Sequence, residues 1–454
     1  MTTTTTDVFG IRTKPVLSYV SRPSVDGRFE GATRTDHHIV VYGSSKQGKT
    51  ALRQTHIRDD RCAVYRCSPK STTEQIYQSV LRSAGIKIQV TQTTTVEGEV
   101  GVKTKAGFSA FLPFVGKAKA EIEGDVRGSA SHEVESEFIG YDLGDAQAVA
   151  EILVKAGFDK YVVLENFHYL NGDVQRALAF DLKTFHEVGV RFVILGIWQE
   201  SNLLMTHNGD LQDRIVEVPV EPWSSADFDA IVGKGSELLN VVIDRAIVVA
   251  FENESYGNVG LFQEFLREYC LQCGLSERSA TFERLSRTDA RDIAIQSKLE
   301  SQRAVLLKAL QGIAARSRVR HGEEALLLPY YLVQVILASS IDDLRRGLEK
   351  GRLLELLRAI HHRSEKDTIR TGDVTNLLVK LPSYQRDISP PLLHYDSNAK
   401  RLRIVDSRTF FVLSRVEREE LADDIPRPDV TDDELFDHDG AGESNHEETD
   451  KKDL

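Results

Sequence analysis

Residues Gly43, Ser44, Ser45, Lys46, Gln47, Gly48, Lys49 and Thr50 form a complete G-x-x-x-x-G-K-T pattern. Residue types in this order serve one chemistry. A glycine-containing turn lets consecutive backbone N–H groups converge on a phosphate, and the helix that starts there adds its N-terminal partial positive charge. Lys49 is placed to reach the outer phosphates, and Thr50 offers a hydroxyl to magnesium. ATP with Mg2+ is the expected occupant. An apolar run at 38–42 precedes the pattern and a helical pattern at 49–58 follows it, a context that a mere glycine-containing loop lacks.

Such a site needs an acid at the end of a neighbouring buried strand. The run Tyr161-Val162-Val163-Leu164 ends in Glu165 and Asn166. Glu165 is the candidate to hold magnesium, directly or through water, against the plainer reading of an acid at an ordinary strand end. Asn166 stands where many ATPases carry a second carboxylate that activates water. An amide cannot take that proton, so hydrolysis is expected to be slow, or Glu165 serves both roles. A further apolar run at 191–196 leads to Gln199, a candidate to sense the terminal phosphate. Arg214 precedes the last strand pattern. It reads either as an arginine finger toward a neighbouring subunit or as a surface arginine paired to Asp210 or Asp213.

The elements that must position these groups follow from periodicity. Apolar strand patterns at 38–42, 63–67, 161–164, 191–196 and 215–220 alternate with helical patterns at 49–58, 73–84, 145–156 and 173–188, with Asp145 as an N-cap. Strands apolar throughout and separated by helices imply a parallel sheet covered on both faces. Helices alone follow at 225–232, 241–253 and 260–273, then a polar linker at 276–292, then helices at 293–316 and 328–340. Segments 392–395 and 401–405 flank a short turn and complete a winged-helix-like pattern.

Between the helical patterns at 73–84 and 145–156 lies an insertion with a sustained period of two. From 94 to 108 Val96, Val100, Val102, Ala106 and Phe108 alternate with Glu97, Glu99, Lys103 and Lys105, and the alternation repeats from 117 to 137. An extended β-hairpin is expected, with an apolar tip at Phe108, Phe111, Leu112, Phe114 and Val115. The plainer reading is a surface or intersubunit arm. The sharper one is a barrel of several copies with the tips toward a membrane.

The 454 residues allow about three domains, and the composition, 41% hydrophobic and 28% charged, is that of a globular protein. No apolar run is long enough to span a membrane, and the N-terminus lacks the basic and apolar regions of a signal peptide. The chain is expected to be cytoplasmic. Cys62, Cys67, Cys270 and Cys273 are too few for a disulfide framework, and Cys270 with Cys273 reads better as buried thiols than as half of a zinc site. The net charge of −12 resides in the tail from Glu419 onward, which holds 15 acidic and 3 basic residues. Residues 298–418 carry 22 basic and 14 acidic residues, so a basic C-terminal region precedes an acidic tail.

The order of these features resembles the AAA+ ATPases of the origin-initiator clade and their STAND relatives. The stretches VVYGSSKQGKT, YVVLENFHYL, VILGIWQESN and LQDRIVEVPVEPWS are similar to that clade's Walker A, Walker B, sensor 1 and arginine-finger segments. SYVSR at 18–22 and GNVGLFQEFLR at 257–267 resemble its opening and lid segments. The resemblance covers residues 17–273, and more weakly 326–416. It implies an α/β fold, a P-loop NTPase parallel sheet covered by helices, with a β-hairpin insertion at 94–138, a helical lid and a C-terminal winged-helix-like domain. The corresponding divisions are a disordered leader at 1–14, an ATPase core at 15–222, a lid at 223–290, a helical and winged-helix-like domain at 291–418 and a disordered acidic tail at 419–454. Two departures stand out: Asn166 in Walker B, and Gly260 where the clade's sensor 2 arginine would fall, leaving Arg267 as a displaced substitute.

Two functions follow. One is an oligomerising, nucleotide-gated switch of the STAND kind, in defence or signalling, acting through a separate effector chain. The other is a DNA-binding ATPase of initiator or regulator type, with Arg316, Arg318, Arg320, Lys400, Arg401 and Arg403 meeting duplex phosphates.

Overall fold

The computed structural model describes residues 2–94, 104–113, 136–141, 143–198, 202–317, 326–362, 369–397 and 399–428. The chain opens with α1 (Thr5–Val8) and α2 (Asp26–Thr33), then alternates β1 (His38–Tyr42), α3 (Lys49–His56), β2 (Cys62–Arg66) and α4 (Thr73–Ser83). The insertion supplies β3 (Lys87–Thr94), β4 (Thr104–Pro113) and β5 (Ser136–Tyr141). The core resumes with α5 (Ala146–Lys155), β6 (Tyr161–Glu165), α6 (Gly172–Glu187), β7 (Phe192–Gly196), α7 (Leu203–His207) and β8 (Ile215–Pro219).

The core sheet has the order β2-β6-β7-β1-β8, all strands parallel. Alternating residues of β1 show why it is covered twice. Ile39 and Val41 enter one apolar cluster with Phe29, Leu52, Val163 and Val193, while Val40 and Tyr42 enter another with Ile76, Val149, Leu164 and Phe185. Asp145 caps α5 by accepting from Gln147 N–H at 3.0 Å, as its position in the sequence implied.

One polar residue inside this sheet sets a pH limit. His38 is fully buried, with Nε2 2.8 Å from the Leu182 carbonyl and Nδ1 accepting from Phe192 N–H at 3.1 Å. Burial pushes its pKa down to about 4. The folded state therefore refuses a proton that the unfolded chain takes near pH 6.5. This contribution to stability is complete above about pH 6.5 and is lost as the pH falls toward 4. Melting temperature measured from pH 7.5 to 4.5 should fall through that window, and a His38→Gln variant should show a shallower fall.

The second half of the chain builds the lid from α8 (Ser225–Leu239), β9 (Val241–Ile243), α9 (Arg245–Ser255) and α10 (Val259–Gln272), followed by β10 (Glu283–Leu285) and the 27-residue α11 (Thr288–Ala314). The C-terminal region adds α12 (Leu328–Ala338), α13 (Ile341–Arg346), β11 (Leu348–Glu349), α14 (Lys350–Ile360), α15 (Thr371–Tyr384), β12 (Leu393–Asp396), β13 (Arg401–Ile404), α16 (Arg408–Arg415) and α17 (Arg418–Asp423). Its small antiparallel sheet has the order β11-β13-β12. No helix among the described residues is long and apolar enough to cross a membrane.

Several expectations need correction. The leader is not free: Val8 and Phe9 are fully buried in the lid's core, and Thr5 N–H donates to the Ser276 carbonyl at 2.9 Å. The polar stretch at 276–292 is not merely a linker, since β10 pairs in parallel with β9. Val241 to Ile243 are strand, not helix. Lid and C-terminal region share one continuous apolar cluster, from Phe228 through Phe265 and Leu310 to Phe411, so they are not separate units. Leu421 and Ile425, within the expected acidic tail, are buried in the same cluster; residues 429–454 lie outside the described residues.

The insertion is β, but its tip is misplaced. Phe108, Phe111 and Leu112 lie within β4, which pairs antiparallel with β3 and β5 in a three-stranded sheet. Phe108 is opposite both Val90 and Tyr141. A period of two runs unchanged through a strand, so alternation alone does not locate the reversal. Phe114, Val115 and the second alternating stretch up to Glu135 lie outside the described residues.

Candidate functional site

The parallel sheet aligns its strand ends. Tyr42 pairs with Gly196 on β7 and Pro219 on β8, while Glu165 pairs with Arg66. One residue further, Gly43 begins the phosphate-binding loop. Its φ of 146° is one only glycine adopts easily, and a Cβ there would lie 2.8 Å from Val220 Cγ2 and 2.9 Å from Glu221 Oε2. Gly48 (φ 84°) supplies the second left-handed turn, immediately before α3. The eight residues of the motif thus form a loop between β1 and a helix N-terminus.

Lys49 Nζ donates to the Gly43 carbonyl at 2.9 Å and to the Ser44 carbonyl at 2.5 Å, so the ammonium is held over the loop. Burial lowers its pKa to about 8, opposed by the carboxylates of Glu221 and Asp406. Thr50 is exposed at the cavity wall. Ser45 and Gln47 are buried and turn away from solvent, with Gln47 Nε2 donating to Glu221 Oε1 at 2.7 Å and to the Gly257 carbonyl at 3.2 Å. Glu221 Oε2 accepts from Ser44 N–H at 2.5 Å, which ties the loop to the end of β8. Lys46 is exposed, with a left-handed φ of 62°.

Glu165 ends β6 at the cavity, largely buried. Its oxygens face two guanidinium groups, Arg53 Nη2 at 3.6 Å and Arg66 Nε at 3.3 Å. Asn166 also lines the cavity and is exposed, with φ 59° and ψ 37°. Asparagine tolerates this left-handed conformation better than most residues, which gives a backbone reason for an amide where a second acid was expected. Gln199 lies outside the described residues. Arg214 does not line the cavity: Nη1 donates to the Asp210 carbonyl at 2.6 Å and Nη2 lies 3.8 Å from Glu187. Its carboxylate neighbour is thus Glu187, while the Asp210 carboxylate pairs with Lys183 at 2.7 Å.

The lid meets the loop at Gly260. A Cβ there would lie 2.5 Å from Lys46 Cβ and 2.7 Å from the Lys46 carbonyl oxygen, so an arginine has no room at this position. Arg267 is not its substitute. It packs against Gly10, lies 3.6 Å from Glu264, and does not line the cavity. Among the arginines that line the cavity is Arg408, from the C-terminal region, whose Nε donates to both oxygens of Asp406 at 3.0 and 2.9 Å.

Asn258 joins the three parts. Fully buried as the N-cap of α10, it accepts from Leu261 N–H at 2.9 Å and donates through Nδ2 to the Ser45 carbonyl and to Ser407 Oγ, both at 3.1 Å. Val259 N–H donates to Gln47 Oε1 at 3.3 Å. Asn258, Asp406, Arg408 and Glu221 were all missed in the sequence. They are single polar residues in otherwise ordinary stretches, and only Asn258 carried a signal, as an N-cap type before an apolar helix.

These residues fit ATP and Mg2+. The cavity, about 1040 Å³, is walled by the loop, by Val20, Trp223, Ile231 and Val259 on the side of β8, and by residues of α11 and the C-terminal region. An apolar recess beside a phosphate loop suits a nucleotide base, and Arg22 lies 3.5 Å over the Trp223 ring at its edge. Thr50 and Glu165 are hard oxygen donors suited to magnesium, which keeps most of its shell as water and phosphate oxygens. No cluster of three or more metal-binding side chains occurs among the described residues, and Cys270 is a buried free thiol.

The sequence matches no protein-family model, and no curated protein is similar to it. Three solved structures that match it are the following. The Walker-type ATPase PABY2304 of Pyrococcus abyssi superposes with a TM-score of 0.51 at 14% identity, covering 90% of this chain and 99% of that one. The ORC1 protein of Aeropyrum pernix in complex with DNA gives 0.39 at 13% identity over 88% and 91% of the two chains. The RuvB Holliday junction branch migration motor of Thermotoga maritima gives 0.35 at 13% over 84% and 88%. With its five parallel strands and the loop at 43–50, the chain shares the fold of a Walker-type P-loop ATPase along nearly its whole length.

Proposed function

We propose that the chain is an ATP·Mg-binding P-loop ATPase that works as a slow, nucleotide-dependent switch. The observation that carries this reading is the buried bridge from Ser45 through Asn258 to Ser407. Through it the phosphate loop, the lid and the segment entering α16 share one residue. Lys46 against Gly260 and Gln47 against Val259 add to the coupling. A change in loop geometry on binding nucleotide therefore reaches the C-terminal region without a long relay. Slow turnover follows from Asn166, which cannot accept a proton from water, and from Glu165, whose oxygens face Arg53 and Arg66.

The Asn258→Ala variant removes two bridging bonds and the cap of α10. Its expected cost is about 2–3 kcal/mol, read by thermal melting. Faster limited proteolysis between lid and C-terminal region should accompany it.

Assembly follows from the resemblance to STAND proteins, as does a signalling or defence output executed by a separate effector. To act as a finger toward a neighbouring copy, Arg214 gives up its 2.6 Å bond to the Asp210 carbonyl and a weak 3.8 Å pairing to Glu187. Mass measurement with and without ATP·Mg, beside phosphate release, tests the switch. Growth in mass with little release supports it, and growth that survives Lys49→Ala removes the phosphate loop as its input.

A second reading, DNA binding, has its own observation. Helix, strand, two helices and two strands follow in the order α13, β11, α14, α15, β12 and β13, with the three strands in one sheet, an order that supports a winged-helix reading. Lys400 is exposed at the turn between β12 and β13. Arg401 is less free, donating to the Gly347 carbonyl at 2.8 Å, and Arg316 pairs with Asp387 at 2.8 Å. Arg318 and Arg320 lie outside the described residues. Duplex binding that weakens with salt and with Lys400→Glu supports this reading; no binding at low salt removes it.

A further inference from the structure

A turn of 3-10 helix, Phe167–Tyr169, follows the strand that ends in Glu165 and brings His168 to the cavity wall. Nothing in the site as described uses this residue. Its Nδ1 accepts a hydrogen bond from Ile197 N–H at 3.3 Å, at the end of β7. With Nδ1 an acceptor, a neutral ring must carry its proton on Nε2. Burial, with the charge of Lys49 adding, lowers the pKa to about 3, so the ring is neutral at any working pH. Nε2 is buried and has no hydrogen-bond partner.

His38 provides the internal contrast. It too is a neutral histidine in this sheet, but both of its nitrogens are bonded, to Leu182 and Phe192. A histidine kept only for packing is expected to look like that, because an orphaned buried donor is costly. His168 instead keeps a donor whose tautomer is set by the backbone, in the electrostatic field of the phosphate-loop lysine. An acceptor shared by His168 and Lys49 is held most strongly when it is anionic, as a phosphate oxygen is.

The strand order says which part of a nucleotide that acceptor is. Trp223 follows β8 on one side of the loop strand β1, while Ile197 and His168 follow β7 and β6 on the other. A triphosphate whose base lies in the apolar recess by Trp223 passes the loop and ends on the His168 side. We propose that His168 reads the terminal phosphate of ATP by donating Nε2–H to it, an inference that rests on the nucleotide reading above. It supplies a phosphate-sensing donor where Gly260 leaves no room for an arginine. The same turn carries Tyr169, whose hydroxyl is hydrogen-bonded to Ser389, so the reader and a contact to the C-terminal region are adjacent.

The test is the ratio of ATP·Mg to ADP·Mg affinity, measured by calorimetry on the full chain. His168→Phe keeps a ring and removes the donor. It should weaken ATP about tenfold or more, the loss of one hydrogen bond to a charged acceptor, and leave ADP within about twofold. His168→Gln, whose amide N–H can stand near Nε2, should recover most of the loss. His168→Asn, too short to reach, should behave as phenylalanine does and guards against a ring-specific folding defect. An unchanged ATP-to-ADP ratio in both the phenylalanine and asparagine variants, whether both affinities fall together or neither does, overturns the inference and leaves nucleotide binding standing. Failure of the wild-type chain to bind either nucleotide overturns both.

Discussion

Lys49→Ala should abolish ATP·Mg binding at micromolar nucleotide without lowering the melting temperature of the nucleotide-free chain. The ammonium is held over the loop by the Gly43 and Ser44 carbonyls, where it is placed to reach phosphate oxygens. Two hydrogen bonds to charged oxygens are worth about 3–5 kcal/mol together, a loss of about two to four orders of magnitude in affinity. Stability moves differently. The folded chain holds this lysine with its pKa lowered to about 8, so below that pH folding carries the cost of a desolvated charge. The unfolded chain keeps its proton to higher pH, and wild-type stability therefore gains from pH 8 upward. Removing the charge should leave the apo melting temperature equal or higher near pH 7. Calorimetric titration and a melt of the same sample separate the two effects. A variant that binds ATP as wild type does would refute the assignment of the loop.

Gly260→Arg, which restores the residue expected at sensor 2, should disable the protein instead of improving it. Even the Cβ of alanine would press on Lys46 Cβ at 2.5 Å and on the Lys46 carbonyl oxygen at 2.7 Å. The second of these is backbone of the phosphate loop and cannot rotate away. Gly260→Ala should cost about 1–3 kcal/mol, and arginine more. Because the strain falls on the loop itself, ATP and ADP affinity should both drop, about tenfold or more, together with the melting temperature. An arginine variant of normal stability with faster phosphate release would show that the lid does not dock as described.

Much of the core was legible because its signals are local. The apolar strand at 38–42 is found at the residues expected, and four further strands fall within one or two residues of their patterns. The reason is that both faces of each central strand are covered, so almost every residue must be apolar. The loop at 43–50 was equally clear, since its two glycines meet backbone requirements that no other residue meets cheaply. Regions whose partners are distant in sequence were read less well. Val8 and Phe9 looked like part of a polar leader, yet they complete a core made by residues more than two hundred positions later. The strand at Glu283–Leu285 is only three residues long and exists because Val241–Ile243 offers it an edge.

The site divides in the same way. The sequence by itself pointed to nucleotide chemistry at 43–50, placed Glu165 at a strand end, and put Asn166 and Gly260 where two catalytic groups were expected. Those conclusions depend on residue type and short spacing, which local sterics and phosphate geometry dictate. Tertiary structure alone decided what surrounds them. It showed that Gly260 is small because a backbone lies against it, and that Arg267 is directed elsewhere. It showed too that Asn258 ties Ser45, 213 positions before it, to Ser407, 149 positions after it. It also left His168 with one nitrogen bonded and the other free of partners beside Lys49. Burial and unsatisfied hydrogen-bonding capacity are properties of a packed environment, and no pattern along a single chain encodes them.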